Sequence, residues 1–577
     1  MRGPEESTIH HLSALDALFL YLETPETPMH VGSLILFEKP ARHRGSFYPT
    51  IRRHIESRLH LAPLFTRKLA FMPFDLANPI WVHDDNLDLD WHIRSMTLPK
   101  PGSMAQLEAA VAKLHEGMLD RDRPLWQFTV IEGLASGEVA FTSRIHHAGL
   151  DGQGGVALAQ AVLDIEAKPV ARTTGTKDRD VKSAMPPSAA KMLSAAFRNS
   201  VAQYGKILSA VPGAVKSIGT LAGSAWSSSR AKKAGAPTEQ LAGIANLAEL
   251  AGGVAKLKAG DTPLQAAKKL LPVGGKTGIK LGPRTALNVA IGGKRAFATT
   301  RIPLAEAKLI AKHFEVKLND VVLATVAGAL RRYYAGDKAT LAKAMIAAVP
   351  ASLRAPGDTT ANNQVTMMLV NLATHIADAA RRMAAIRDAS TAAKMLTGSM
   401  KGAMTTVTSD LPTLGIPWLM SVITPLYKTA VASNRIPVVA NVVISNVPGP
   451  SMPLYMAGAK MTAYFPVSIV THGLALNITI HSYAGSLDYG FIAAKNEVPK
   501  LGAFVKHVEA AHQELLVLAM AAPAEVASGA GSKKLVVKKV ATKKAAVKKS
   551  TVKKTAAKKT VIKKRVISAL SSRRKHA

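Results

Sequence analysis

Lysine pairs begin at residues 533, 538, 543, 548, 553, 558 and 563, separated by small, hydroxyl or β-branched residues. A period of five matches neither the helical turn nor the strand pleat, so these charges cannot be gathered on one face of either element. Charge repulsion without a compensating apolar face takes this stretch out of any core, and it is expected to be disordered in isolation. With Arg565, Arg573, Arg574 and Lys575, the chain from Lys533 onward holds 18 basic residues and no acidic one. All 577 residues together have 74 Lys and Arg against 39 Asp and Glu, a net charge of +35. About half of that excess is therefore in the tail, which leaves +17 on the first 532 residues. A surplus of this size points to polyanionic neighbours: nucleic acid, anionic lipid headgroups or phosphorylated substrates.

The rest of the chain is able to fold. Hydrophobic residues make up 48% and charged residues 20%, enough to bury a sizeable core. Cysteine is absent. That excludes disulfides, Cys-ligated zinc and a cysteine nucleophile, and it fits a reducing compartment. The first residues, MRGPEESTIHHLSALD, carry early acids and no apolar run, unlike a secretory signal. The longest apolar candidates, 411–427 and 437–458, are interrupted by Pro412, Pro417 and Pro425, and by Asn441, Asn446, Pro448, Pro450 and Pro453. Neither supplies the roughly 20 apolar residues of a membrane span, so a cytoplasmic protein without a transmembrane helix is expected.

Four segments can be distinguished. Residues 1–185 read as an α/β unit, with strands at Val31–Phe37, Gln127–Ile131 and Glu138–His147. A helix is expected over Gln106–Leu119, from the spacing of Leu107, Val111, Leu114 and Met118. Residues 186–285 form a basic linker rich in Ala and Gly. Within it Leu193, Phe197, Val201, Tyr204, Leu208 and Val211 fall on one helical face, which Pro212 ends. That stripe suits either a lipid interface or packing on the body of the protein. Residues 286–525 read as a second α/β unit, with helices at Leu304–Phe314, Asp320–Tyr334 and Leu501–Met520. Its strands are expected at Ala344–Val349, Gln364–Val370, Val438–Ser445 and Leu474–His481. Residues 526–577 are the lysine-rich tail.

The segment that carries chemistry is His146-His147-Ala148-Gly149-Leu150-Asp151-Gly152, where a strand gives way to a loop. Histidine supplies a base that is neutral near pH 7 without any perturbation. Adjacent strand residues point to opposite faces, so His146 and His147 cannot both face one cavity. Asp151 lies close enough to hold the turn, and Gly152 allows a tight backbone passage. Taken alone, the same spacing also fits two structural histidines before an Asp-Gly turn. His10-His11 has no such sequel, Asp84, Asp85, Asp88 and Asp90 lack calcium-loop spacing, and Trp126 reads as core. No P-loop and no metal-ligand spacing are found.

His146 to Gly152 resembles the HHxxxDG signature of the CoA-dependent acyltransferase superfamily. Other segments narrow the resemblance to the bacterial wax ester synthase/diacylglycerol acyltransferase family. Asp120-Arg121-Asp122-Arg123-Pro124-Leu125-Trp126 is similar to its D-R-x-R-P-L-W stretch, and Leu318-Asn319-Asp320 to its N-D motif. Pro350-Ala351-Ser352-Leu353-Arg354 resembles P-x-S-x-R, Ser445-Asn446-Val447-Pro448-Gly449-Pro450 resembles N-V-P-G-P, and Met29-His30-Val31-Gly32 resembles M-H-V-G. Asn362-Asn363 and Gln153-Gly154 depart from the pattern.

The resemblance implies two chloramphenicol-acetyltransferase-like halves with a substrate tunnel between them. It implies acyl-CoA as co-substrate, no bound cofactor or metal, and diacylglycerol or a long-chain alcohol as acceptor. His147 would be the general base, His146 and Asp151 structural members of the motif, and Asn319 a contact for the oxyanion. For Asn319 a helix N-cap is the alternative. Such an enzyme would work peripherally at a membrane or a lipid inclusion, with the tail open to DNA or another polyanion. A carrier-protein-dependent condensation enzyme on the same fold and a non-catalytic lipid or DNA binder are the competing readings.

Overall fold

The computed structural model describes residues 12–150, 154–168, 282–352, 365–409, 416–434 and 436–521. The chain divides into two units, residues 1–522 and 523–577. The linker stripe, the lysine-rich tail, His10-His11, Asp151 to Gln153, Leu353-Arg354 and Asn362-Asn363 all lie outside the described residues.

Two six-stranded sheets organise the first unit. The first uses β1 (His30–Glu38), β4 (Ile93–Thr97), β5 (Trp126–Glu132) and β6 (Val139–His146). It is completed by β11 (Tyr455–Met456) and β12 (Ala459–Val467), from far down the chain, in the order β11-β12-β1-β6-β5-β4. The second sheet joins β7 (Arg295–Pro303), β8 (Ile346–Ser352) and β9 (Val365–Asn371) to β10 (Val442–Val447), β13 (Leu476–Tyr483) and β14 (Ser486–Ala494). Its order is β7-β14-β13-β10-β8-β9. A short hairpin of β2 (Arg67–Ala70) and β3 (Ile80–His83) stands apart. The two α/β halves expected from the sequence are present, and the second half lends two strands to the sheet of the first.

The first half carries α1 (Ala14–Leu22), α2 (Tyr48–Glu56), α3 (Met104–Leu114) and α4 (Gly154–Val162). Ser13 caps α1 by accepting the Asp16 N–H, and Ser103 with Gln106 closes a reciprocal box at the start of α3. The sequence spacing carried α3 on to Leu119, but the helix stops at Leu114. There the His115 N–H turns back to the Val111 and Ala112 carbonyls, the ring is buried, and Met118 is left exposed.

The second half carries α5 (Leu304–His313), α6 (Leu318–Tyr333), α7 (Ala379–Ser409), α8 (Ile416–Ala432) and α9 (Leu501–Met520). A run from Asp320 to Leu330 is buried on every side of α6, which packs against α9 and α7. Helix α8 contains Pro425, and no helix among the described residues is long and apolar enough to cross a membrane. The N-V-P-G-P stretch leads off β10, and its glycine is required by contact. A Cβ at Gly449 would lie 1.8 Å from the His481 ring and 2.3 Å from the Ser482 carbonyl oxygen.

Trp126 is fully buried, its indole N–H donating to the Phe65 carbonyl, so it is core as the sequence suggested. Each of the four aspartates has a partner in the protein, Asp85 lying 3.9 Å from His83. Asp84 pairs with Lys68, Asp88 accepts the Asp90 and Trp91 N–H groups, and Asp90 pairs with Arg52. No cluster able to hold a metal occurs among the described residues.

Candidate active site

The site is built at the end of β6. Antiparallel pairing sets His146 opposite His30 on β1, and the ladder continues one step as the His147 N–H donates to the Met29 carbonyl at 2.9 Å. His147 then enters a single 3-10 turn with Ala148 and Gly149. Gly149 is needed for closeness, since a Cβ there would fall 2.5 Å from Leu64 Cδ1.

The two histidines diverge as strand alternation requires. His146 is fully buried, and its Nδ1 accepts the Ala148 N–H at 3.1 Å. In the neutral ring the proton is therefore on Nε2, which approaches Glu23 Oε2 at 3.5 Å. His147 is half-buried and lies flat against Phe19 of α1, with ring centroids 3.8 Å apart. Its Nδ1 is enclosed and makes no hydrogen bond among the described residues. Burial pushes the His147 ring down to about 4, its own carbonyl acting the other way and His146 adding to the decrease. The ring is thus neutral at pH 7, the state in which it can take a proton.

Glu23 ties the surrounding elements together. Its side chain is fully enclosed, and Oε1 accepts the Met29 N–H at 3.0 Å. Oε2 accepts from Arg121 at 2.8 Å, and Arg121 also donates to the Leu20 carbonyl in α1 at 2.7 Å. Burial raises the Glu23 carboxyl, but His146, the Met29 N–H and Arg121 outweigh it and hold it below the usual carboxylate range. One carboxylate thus fixes the helix that carries Phe19, the strand that holds the His147 N–H, and the side chain of His146. Helix α8 of the second half closes on this corner, with Thr424 donating to the Tyr21 carbonyl and Lys428 pairing with Glu26 at 2.7 Å.

His146 and His147 are therefore brought to one corner but given different surroundings. Asn319 is on the second residue of α6 in the other half, half-buried and without a hydrogen bond to His147. It is not the N-cap. Lys317 holds that position, and its N–H is taken by Asp320 at 3.1 Å, so the carboxylate one residue on displaces the amide from that role. Glu23 and Phe19 were not singled out in the sequence. Met29 and Arg121 were present only as members of the M-H-V-G and D-R-x-R-P-L-W stretches.

The match with known proteins covers the same elements. The wax ester synthase/diacylglycerol acyltransferase catalytic domain matches residues 12–246 and 225–322, and the C-terminal domain of that family matches residues 361–516. The chain belongs to this family. It is accordingly an acyl-CoA-dependent O-acyltransferase. A Mycobacterium tuberculosis protein named as a diacylglycerol O-acyltransferase is 35% identical over 508 residues, 87% of this chain and 99% of the relative. The O-acyltransferase WSD of Acinetobacter baylyi is 31% identical over 506 residues, 86% of this chain and 95% of that protein. The solved wax ester synthase/diacylglycerol acyltransferase of Marinobacter aquaeolei superposes with a TM-score of 0.57 at 26% identity, covering 88% of this chain and all of that one.

Proposed function

We propose that this acyltransferase moves a long-chain acyl group from acyl-CoA to the hydroxyl of diacylglycerol, forming triacylglycerol, with His147 as general base. The observation that carries the reading is the His147 ring itself, neutral at pH 7 and stacked on Phe19 with Nδ1 enclosed. His147 Nε2 takes the hydroxyl proton as the acceptor oxygen bonds to the thioester carbonyl carbon. The tetrahedral adduct collapses by breaking the carbon–sulfur bond, and the imidazolium returns the proton to the thiolate, releasing free CoA. Asn319 is proposed to donate its amide N–H to the oxyanion, and Asp151 to hold the turn after the histidines. Acyl-CoA is a substrate of this scheme, which calls on no cofactor or metal.

The mycobacterial relatives' name favours diacylglycerol, and the family description together with the WSD relative keeps a long-chain alcohol as second acceptor. Both acceptors dissolve in lipid, so work at a membrane or lipid-inclusion surface belongs to the same reading. An acceptor panel with purified protein and one long-chain acyl-CoA, read as free CoA and labelled ester, tests it. Triacylglycerol without any carrier protein supports the reading. Wax ester alone would move the assignment to the alcohol, and transfer only from a carrier-bound donor would overturn it.

A further inference from the structure

We propose that Lys428 and Arg295 of the second half are positioning residues for His147, acting through the turn of the first half that joins α1 to β1. The inference rests on His147 as the reacting base and adds what fixes that base relative to the other half. The turn is stiff by composition. It reads Glu-Thr-Pro-Glu-Thr-Pro-Met from Glu23 to Met29, and its two prolines have a fixed φ. Thr24 and Thr27 exchange backbone hydrogen bonds across its neck at 2.9 and 3.4 Å, and their hydroxyls meet at 2.9 Å. Glu23 at one end faces His146, and the Met29 carbonyl at the other holds the His147 N–H. A displacement of the tip, Pro25-Glu26, is therefore passed to the base through a short rigid segment.

Two elements of the second half grip that tip. On α8, Lys428 Nζ lies 2.7 Å from Glu26 Oε1 and holds the carboxyl down at about 2, so the pair is ionised at pH 7. At the start of β7, the Arg295 guanidinium donates to the Glu26 carbonyl. Gly293, just before it, lets the chains approach, since a Cβ there would lie 3.2 Å from the Pro25 carbonyl oxygen. Arg295 is itself fixed. It is buried, donates to the Gly292 carbonyl at 2.7 Å, and gives its N–H to Glu116 Oε1 at 3.3 Å. His472, in the loop between β12 and β13, braces both grips. Its Nδ1 accepts the Ile291 N–H at 3.1 Å, and its carbonyl accepts the Tyr427 hydroxyl at 3.0 Å. Ile291 leads into β7 and Tyr427 adjoins Lys428, so one loop ties the two grips together. Asn319, the proposed oxyanion donor, belongs to the same half as the grips. Base and oxyanion donor thus come from different halves, and a misplacement of about 1 Å between reacting groups can cost about 100-fold in rate.

Steady-state rates of full-length variants with hexadecanoyl-CoA and a diacylglycerol in detergent test this. Glu26→Gln and Lys428→Met each remove the ion pair. Both side chains reach solvent, and an exposed pair contributes little to folding, so these variants should keep a wild-type melting transition. Gly293→Ala keeps every charge and instead pushes on Pro25. Each of the three should lower kcat by about tenfold or more while KM for acyl-CoA stays within about twofold. Lys428→Arg should retain turnover. The double variant Glu26→Gln/Lys428→Met should lose no more than either single one, because both remove the same contact. Wild-type kcat in all three variants, additive losses in the double variant, or a KM that rises as kcat falls overturns the inference. Wild-type turnover in His147→Ala, measured alongside, fails the general-base reading instead.

Discussion

The His147 ring lies 3.8 Å from that of Phe19, with planes 15° from parallel. The backbone of His147 is fixed by Met29, so the stack supplies the remaining constraint, the plane of the ring. Aromatic pairs are worth about 0.5–1.5 kcal/mol beyond burial, so Phe19→Ala should lower kcat by up to about tenfold. KM for acyl-CoA should hardly move, and Phe19→Tyr should restore turnover. A kcat that is unchanged in Phe19→Ala would show that the ring is oriented by other contacts.

His147→Ala should reduce turnover by about 10²–10⁴-fold while the protein stays folded, the usual contribution of a positioned base. His146→Ala should act mainly on folding, because it removes a buried ring that faces Glu23. Steady-state rates of the two soluble variants, with melting curves beside them, make the comparison. Equal residual activity would remove the assignment of His147.

Glu23→Gln leaves Arg121 without its carboxylate in a largely enclosed site, a change that costs about 3 kcal/mol or more in comparable buried pairs. The Met29 N–H can still be met by the amide oxygen. Stability should therefore fall more than the pH profile of kcat moves. Chemical denaturation shows the first, and a rate profile between pH 5 and 9 shows the second.

Stability should decline as pH falls from about 6.5 toward 4.5, before most carboxylates titrate. Burial pushes His92 and His481 down to about 4 and His115 to about 3. A histidine with a depressed folded pKa binds its proton more readily when unfolded, so its penalty is absent above about 6.5 and grows below that value. A tenfold difference in proton affinity between the folded and unfolded chain corresponds to about 1.4 kcal/mol. Melting temperature should thus drop steeply from pH 6.5 to 5, and His115→Gln should flatten the slope. A flat profile in that window would contradict the burial of these rings.

Deleting residues 533–577 should leave transfer from soluble acyl-CoA in detergent largely intact. It should weaken binding to DNA and to anionic vesicles, with wild-type binding falling sharply between low and physiological salt, as counterion release requires. A truncated enzyme that is inactive in detergent would give the tail a part in catalysis.

Local signals made several elements legible. Strands β1, β5 and β6 alternate or are flanked by turns, and α9 was bounded correctly at both ends. Strand β14 was not recognised, because every residue from Ser486 to Ala494 is buried and no alternation survives. Helix α8 was obscured by its prolines. His147 was legible because its motif is contiguous. Glu23 and Phe19 were not, since their function comes from contacts made through space by a loop and a helix some 120 residues before the base.

Strand β12 pairs with β1 from Gly32 to Glu38, although more than 400 residues separate them. During synthesis β1 therefore has one edge open until the ribosome has passed residue 467. Such an edge is a template for other chains, and so distant a partner makes closure slow. Expression of residues 1–322 alone would leave that edge permanently uncovered. Biogenesis of this enzyme thus has an exposed interval, and chaperone dependence should appear at this seam first.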